Sequence, residues 1–139
     1  CSLNHGWSGG PLMLLSQYVA GIAPEKAGFD SYHVFPQMGH LQSIEAAVPT
    51  VKGLIKVSLK RSEKEFSLTL LSPPGTTALI GIPKDAVKDM DLIQANSRTI
   101  WQRDSEINAI EGLTVEGYDE YYYRFSAAPG SWHFIAIAR

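Results

Sequence analysis

The sequence predicts a mainly β protein: an antiparallel β-sandwich of about eight or nine short strands, preceded by one N-terminal helix. Three observations lead there. From Tyr32 onward apolar residues recur at every second position, the period of a half-buried strand. Turn signals such as Pro73-Pro74-Gly75 and Ala128-Pro129-Gly130-Ser131 break that alternation at roughly eight- to twelve-residue intervals. Ahead of Tyr32 the apolar spacing is helical instead.

The helix is expected over residues 7–21. Ser8 suits the N-cap, and Pro11 falls in the first turn, where its missing N–H costs nothing. Trp7 and Leu12 stand at the positions of a hydrophobic staple. Gly21 suits the left-handed residue after the last turn, and Pro24 stops continuation. Leu12, Leu15, Val19 and Ile22 form the stripe, which Met13, Leu14 and Tyr18 widen well beyond one face. A helix that is apolar nearly all round needs cover on several sides, more than one sheet face supplies. The N-terminal stretch therefore reads as the end piece of something larger.

A loop is expected over 22–29. Short strands follow at 32–36 and 42–48, the second ended by Pro49. Gly53–Lys60 sends Ile55, Val57 and Leu59 to one side and Lys56, Ser58 and Lys60 to the other. After a polar turn at 61–64, Phe66, Leu68 and Leu70 resume the inward face, giving an antiparallel hairpin. Thr76–Ile82 is the next strand, closed by Pro83. Residues 84–118 are the hardest to read: 91–94 and 98–102 suggest two strands around Ala95-Asn96-Ser97, and 104–112 reads as a surface loop. Tyr121–Ser126 and Trp132–Ala138 are expected to close the domain as a hairpin.

Composition narrows the function. The chain has 139 residues, 45% apolar and 19% charged, enough for one domain with its own core. Its net charge is −2, and the basic residues at 52, 56, 60, 61 and 64 alternate with apolar ones as the wet face of a hairpin. No basic footprint for nucleic acid results. No apolar run reaches the roughly 20 residues of a membrane span. Cys1 is the single cysteine, so there is no internal disulfide and no cysteine metal site.

A glycosidase needs two carboxylates across a cleft. The acidic residues fall almost wholly in turns and strand ends, and no pair stands out. His5, His33, His40 and His133 lack the short regular spacing of metal ligands. Neither a nucleophile elbow nor a phosphate-binding glycine loop occurs, and nothing asks for a cofactor. What remains is Asn4, His5 and Trp7, just before the helix start. Asn and His donate and accept to hydroxyls, and Trp offers a flat apolar face, a combination that suits a sugar ring. The other reading is that Asn4 and His5 cap the helix and Trp7 staples it. Tyr118, Tyr121, Tyr122, Tyr123 and Trp132 raise a second possibility, an independent carbohydrate-binding sandwich, although strand alternation sends some of them inward.

Ser2-Leu3-Asn4-His5-Gly6-Trp7, Tyr18-Val19-Ala20-Gly21-Ile22-x-Pro24, Gly28-Phe29, Val34-x-Pro36 and Gly39-x-Leu41 together resemble the C-terminal region of bacterial α-L-rhamnosidases of glycoside hydrolase family 78. Val48-Pro49-Thr50-x-Lys52-Gly53-x-Ile55-x-Val57 and Ala128-Pro129-Gly130-x-Trp132-x-Phe134 are similar to that region too. The resemblance covers essentially the whole chain and is poorest over 84–118. It implies that residues 1–22 are the last helix of an (α/α)6 catalytic barrel and 27–139 a C-terminal sandwich. It implies removal of terminal α-L-rhamnose by an inverting mechanism whose acid and base, both Glu, lie upstream of this region. The partners it implies are a rhamnosylated glycoside and the rest of the barrel in the same polypeptide. It places His5 in the rhamnose pocket, with Asn4 and Trp7 near it. An aromatic often follows that His in the family; here Gly6 stands there and Trp7 comes next. A bacterial protein is expected, with a periplasmic or secreted location favoured over a cytoplasmic one and the secretion route not given by the sequence.

Overall fold

The computed structural model describes residues 20–25, 30–39, 41–103 and 110–138. Residues 7–19 of the expected helix, the Gly28-Phe29 motif and residues 104–109 of the expected loop lie outside them. Eleven strands form: β1 (Ile22–Pro24), β2 (Ser31–Val34), β3 (Ser43–Thr50), β4 (Gly53–Arg61), β5 (Glu65–Ser72), β6 (Thr77–Pro83), β7 (Met90–Ala95), β8 (Arg98–Gln102), β9 (Leu113–Tyr118), β10 (Tyr122–Ala127) and β11 (Gly130–Ala138). They make a five-stranded sheet, β1-β2-β6-β10-β9, and a six-stranded sheet, β3-β4-β5-β11-β7-β8. Every pairing is antiparallel except β2 with β6.

The two sheets face each other across the apolar positions that alternation marks. Ile55, Val57, Leu59, Phe66, Leu68, Leu70, Phe134 and Ala136 are buried from the six-stranded sheet, and Tyr32, Val34, Ile80, Ile82 and Phe125 from the other. Phe125 on β10 and Phe134 on β11 meet across the gap with ring centroids 6.2 Å apart. A buried polar bridge joins the sheets as well. Tyr32 on β2 and Ser72 at the end of β5 are hydrogen-bonded at 2.6 Å, Ser72 and Thr76 at 2.8 Å, and the Thr76 hydroxyl donates to the Pro73 carbonyl at 2.7 Å. Each hydroxyl thus has a partner, which removes the penalty of burying it. Burial pushes the Tyr32 phenol above its ordinary pKa.

The β4–β5 hairpin is as the alternation predicts, with Leu59 opposite Leu68 and Val57 opposite Leu70. Asn96 and Ser97 both have positive φ, the geometry of a tight two-residue turn between β7 and β8. The Asn96 side chain then accepts the His133 N–H at 2.8 Å, tying this turn to β11.

Four expectations are corrected. β10 and β11 are not a hairpin: β10 pairs with β6 and β9 in one sheet, β11 with β5 and β7 in the other. The Ala128-Pro129 corner carries the chain across the sandwich, pinned by the Trp132 indole N–H donating to the Ala128 carbonyl at 2.8 Å. A Pro-Gly signal marks a reversal and does not say which sheet receives the next strand. Pro49 does not end its strand; β3 runs through it to Thr50. β3 is an edge strand, where proline's missing N–H leaves no ladder bond unmade. Residues 22–24 are not loop but β1, paired with β2. The strand count exceeds eight or nine because the three-residue β1 and the edge strand β9 carry little pattern of their own.

Gly21 has φ +74°, and its carbonyl accepts the Phe35 N–H at 3.0 Å. A Cβ there would lie 1.9 Å from the Phe35 carbonyl oxygen. The position therefore requires glycine both for its left-handed backbone and for this close approach.

Candidate functional site

Asn4, His5 and Trp7 lie outside the described residues, as do Cys1 and His40. His33 stacks on Phe35 at 5.0 Å and stands 3.6 Å from Glu25. His133 lies on the outer face of the other sheet, hydrogen-bonded to Thr69 at 2.9 Å. Among the described residues no group of three His, Cys, Asp or Glu could hold a metal, and no helix is long and apolar enough to cross a membrane.

The fold separates the clustered aromatics. Trp132 is buried, with 7% exposure. Tyr123 packs against the core and against Trp101, ring centroids 4.6 Å apart. Tyr122 is half-buried. Its phenol donates to the Pro36 carbonyl at 3.0 Å, and its ring stacks on Phe35 at 5.0 Å. Burial raises the pKa of both Tyr122 and Tyr123. Tyr118 and Tyr121 stay exposed, at 74% and 66%. The Lys84 ammonium sits 4.5 Å from the Tyr118 ring centroid and 5.2 Å from that of Tyr123.

Tyr121 stands at a pocket of about 490 Å³ at one end of the sandwich. Five separate segments build it. The chain leaving β2 supplies Gln37 and Met38, the end of β4 Arg61, the start of β5 Phe66, the turn after β6 Lys84 and Asp85, and the turn before β10 Glu120 and Tyr121. Met38, Phe66 and Ala86 are buried and give it an apolar floor, while Asp85, Glu120 and Tyr121 are exposed at its mouth.

The mouth is held in place. The Asp119 carboxylate accepts the N–H of Tyr121 at 2.7 Å and of Tyr122 at 2.8 Å, closing the turn. Its second oxygen pairs with Arg124. The two N–H bonds, and then Arg124, hold the Asp119 carboxyl below its ordinary pKa. The Arg124 guanidinium lies over the Phe35 ring at 5.2 Å. Phe35 and Tyr122 in turn lie on Gly81, where a Cβ would approach their rings to 2.5 and 2.8 Å. Arg61 donates to the Gly39 carbonyl on the far wall. Sequence reasoning missed this site because no single stretch carries it. The one local signal is the Asp119-Glu120-Tyr121 turn ahead of a strand.

Residues 21–95 match the model of the bacterial alpha-L-rhamnosidase C-terminal domain. The chain belongs to that family. The fold agrees. An alpha-L-rhamnosidase from Dictyoglumus thermophilum superposes with a TM-score of 0.74 at 18% identity, over 88% of this chain and 13% of its own. A Streptomyces avermitilis alpha-L-rhamnosidase complexed with L-rhamnose does so with a TM-score of 0.67 at 23% identity, over 87% and 10%. The rhamnosidase C-terminal domain described here thus spans about a tenth of the length of either structure. No curated protein matches it.

Proposed function

We propose that this chain is the C-terminal part of an α-L-rhamnosidase, a glycoside hydrolase that releases terminal α-L-rhamnose with inversion. The observation that carries the reading is the family match over residues 21–95, supported by the shared two-sheet fold. In the parent, one Glu protonates the leaving glycosidic oxygen while a second activates water on the opposite face of the sugar. Both lie upstream of residue 1. The chain ahead of β1 closes the helical barrel, and the strands from β1 onward form the sandwich that braces it. His5 lines the rhamnose pocket, and Asn4 and Trp7 flank it. The partners are a rhamnosylated glycoside and the remaining barrel of the same polypeptide.

The sandwich supports this division of labour. Asp85 and Glu120 are the carboxylates that share its pocket, and both are exposed. The 139-residue chain alone is expected to leave an aryl α-L-rhamnoside intact, whereas the full-length parent cleaves it. Turnover by the chain alone would sink the reading. In the parent, His5→Ala should lower rhamnoside turnover while the melting of the sandwich stays unchanged; unaltered kinetics would remove His5 from the site.

A further inference from the structure

We infer that the pocket at the end of the sandwich, with Tyr121 at its mouth, is a binding site for a neutral sugar residue. The argument rests on the pocket and is independent of the rhamnosidase reading, because binding here needs neither acid nor base.

Its volume of about 490 Å³ falls within the range of small-ligand sites, roughly 300–1,000 Å³. Its charged lining residues are Arg61 and Lys84 on one side of the balance and Asp85 and Glu120 on the other. They cancel, so the pocket has no Coulombic preference for a phosphate, a carboxylate or an amine. What remains is hydrogen-bonding capacity beside an apolar surface. Asp85 and Glu120 accept only. Arg61 donates only, and Gly39 engages one of its nitrogens, leaving the rest of the fork. A sugar ring presents hydroxyls that need both kinds of partner, and C–H faces that need an aromatic ring.

Tyr121 supplies that ring. It is 66% exposed, yet its backbone is tied down by the Asp119 carboxylate and by its own carbonyl, which accepts the Lys84 N–H at 2.8 Å. The backbone that carries the ring is therefore set before a ligand arrives, so that part of the ordering cost of binding is already met. Tyr118, the other exposed aromatic of this region, differs: the Lys84 ammonium already lies against its ring.

The test is an amide NMR titration of the 139-residue chain with L-rhamnose, methyl α-L-rhamnoside and D-glucose. At least one should bind with a millimolar dissociation constant. The amides that move should be those of Gly39, Asp85, Glu120 and Tyr121. Tyr121→Ala should weaken binding about tenfold and Glu120→Gln should weaken it less, while Thr69→Ala, on the outer face of the other sheet, should leave it unchanged. Amide shifts confined to another face, or an affinity indifferent to Tyr121→Ala, would overturn the inference. No movement at saturating sugar would overturn it too. Rhamnoside hydrolysis by the parent is measured separately, so either idea can fail alone.

Discussion

The outer faces of β5 and β6 show two ways of finishing a sheet. β5 alternates cleanly, with Phe66, Leu68 and Leu70 inward and Thr69 and Leu71 exposed. β6 begins the same way, then is buried at four consecutive residues, Ile80, Gly81, Ile82 and Pro83. The difference lies in what covers the second face. Over β5 there is solvent. Over β6 there is a layer of rings, in which Phe35 stacks on His33 and on Tyr122 with Arg124 above it. A strand covered on both faces loses its period of two, so alternation identifies a one-sided core and is blind to a two-sided one. Tyr122 of this layer and Pro83 at the end of β6 also line the pocket, so the departure from simple alternation runs up to the candidate site.

Breaking the shared core should cost most. Phe134 is fully buried and meets Phe125 across the sheets. Phe134→Ala should destabilise the domain by about 3–5 kcal/mol in urea unfolding, through lost burial and the cavity left behind. Both sheets should be affected alike, in a single transition. Two transitions would show that the sheets fold separately.

Gly81→Ala sharpens the contrast. A methyl group at 2.5 Å from the Phe35 ring forces the outer layer to move. The expected loss is about 1–3 kcal/mol, with near-ultraviolet dichroism changed at Phe35 and Tyr122. An unchanged spectrum and stability would mean that the layer is loosely placed. The smallest effect concerns the turn at the pocket mouth. The folded Asp119 carboxyl has a depressed pKa, so its contribution is present above the ordinary carboxylate value, about pH 4, and is lost as pH falls through the depressed value. Asp119→Ala should lower the melting temperature slightly at pH 7, and the gap to wild type should close under acid. A gap that persists there would assign Asp119 a role independent of its charge.

The parts that were legible in the sequence are those where one residue type answers one local demand. Lys56, Ser58 and Lys60 against Ile55, Val57 and Leu59 define a strand with one wet side. Asn96 accepts positive φ and marks the β7–β8 turn. What escaped depends on distant chain. The partition of β10 and β11 between sheets is decided by β6 and β5, roughly forty-five and sixty-five residues away by the register of each pair. β9 has only Leu113 and Val115 to declare its inner face, and Gly117 breaks the pattern with φ +107°. The pocket draws on five segments, and short motifs do not report such assemblies.

β11 has one more consequence. It comes after the other ten described strands in chain order, yet it lies inside its sheet, bonded to β5 on one side and β7 on the other. Without it the other five strands fall into two unconnected ladders, β3-β4-β5 and β7-β8. During synthesis the ribosome therefore delivers this keystone after the strands it joins. The sandwich cannot close until Gly130–Ala138 has left the exit tunnel, and until then two exposed sheet edges must be kept from other chains.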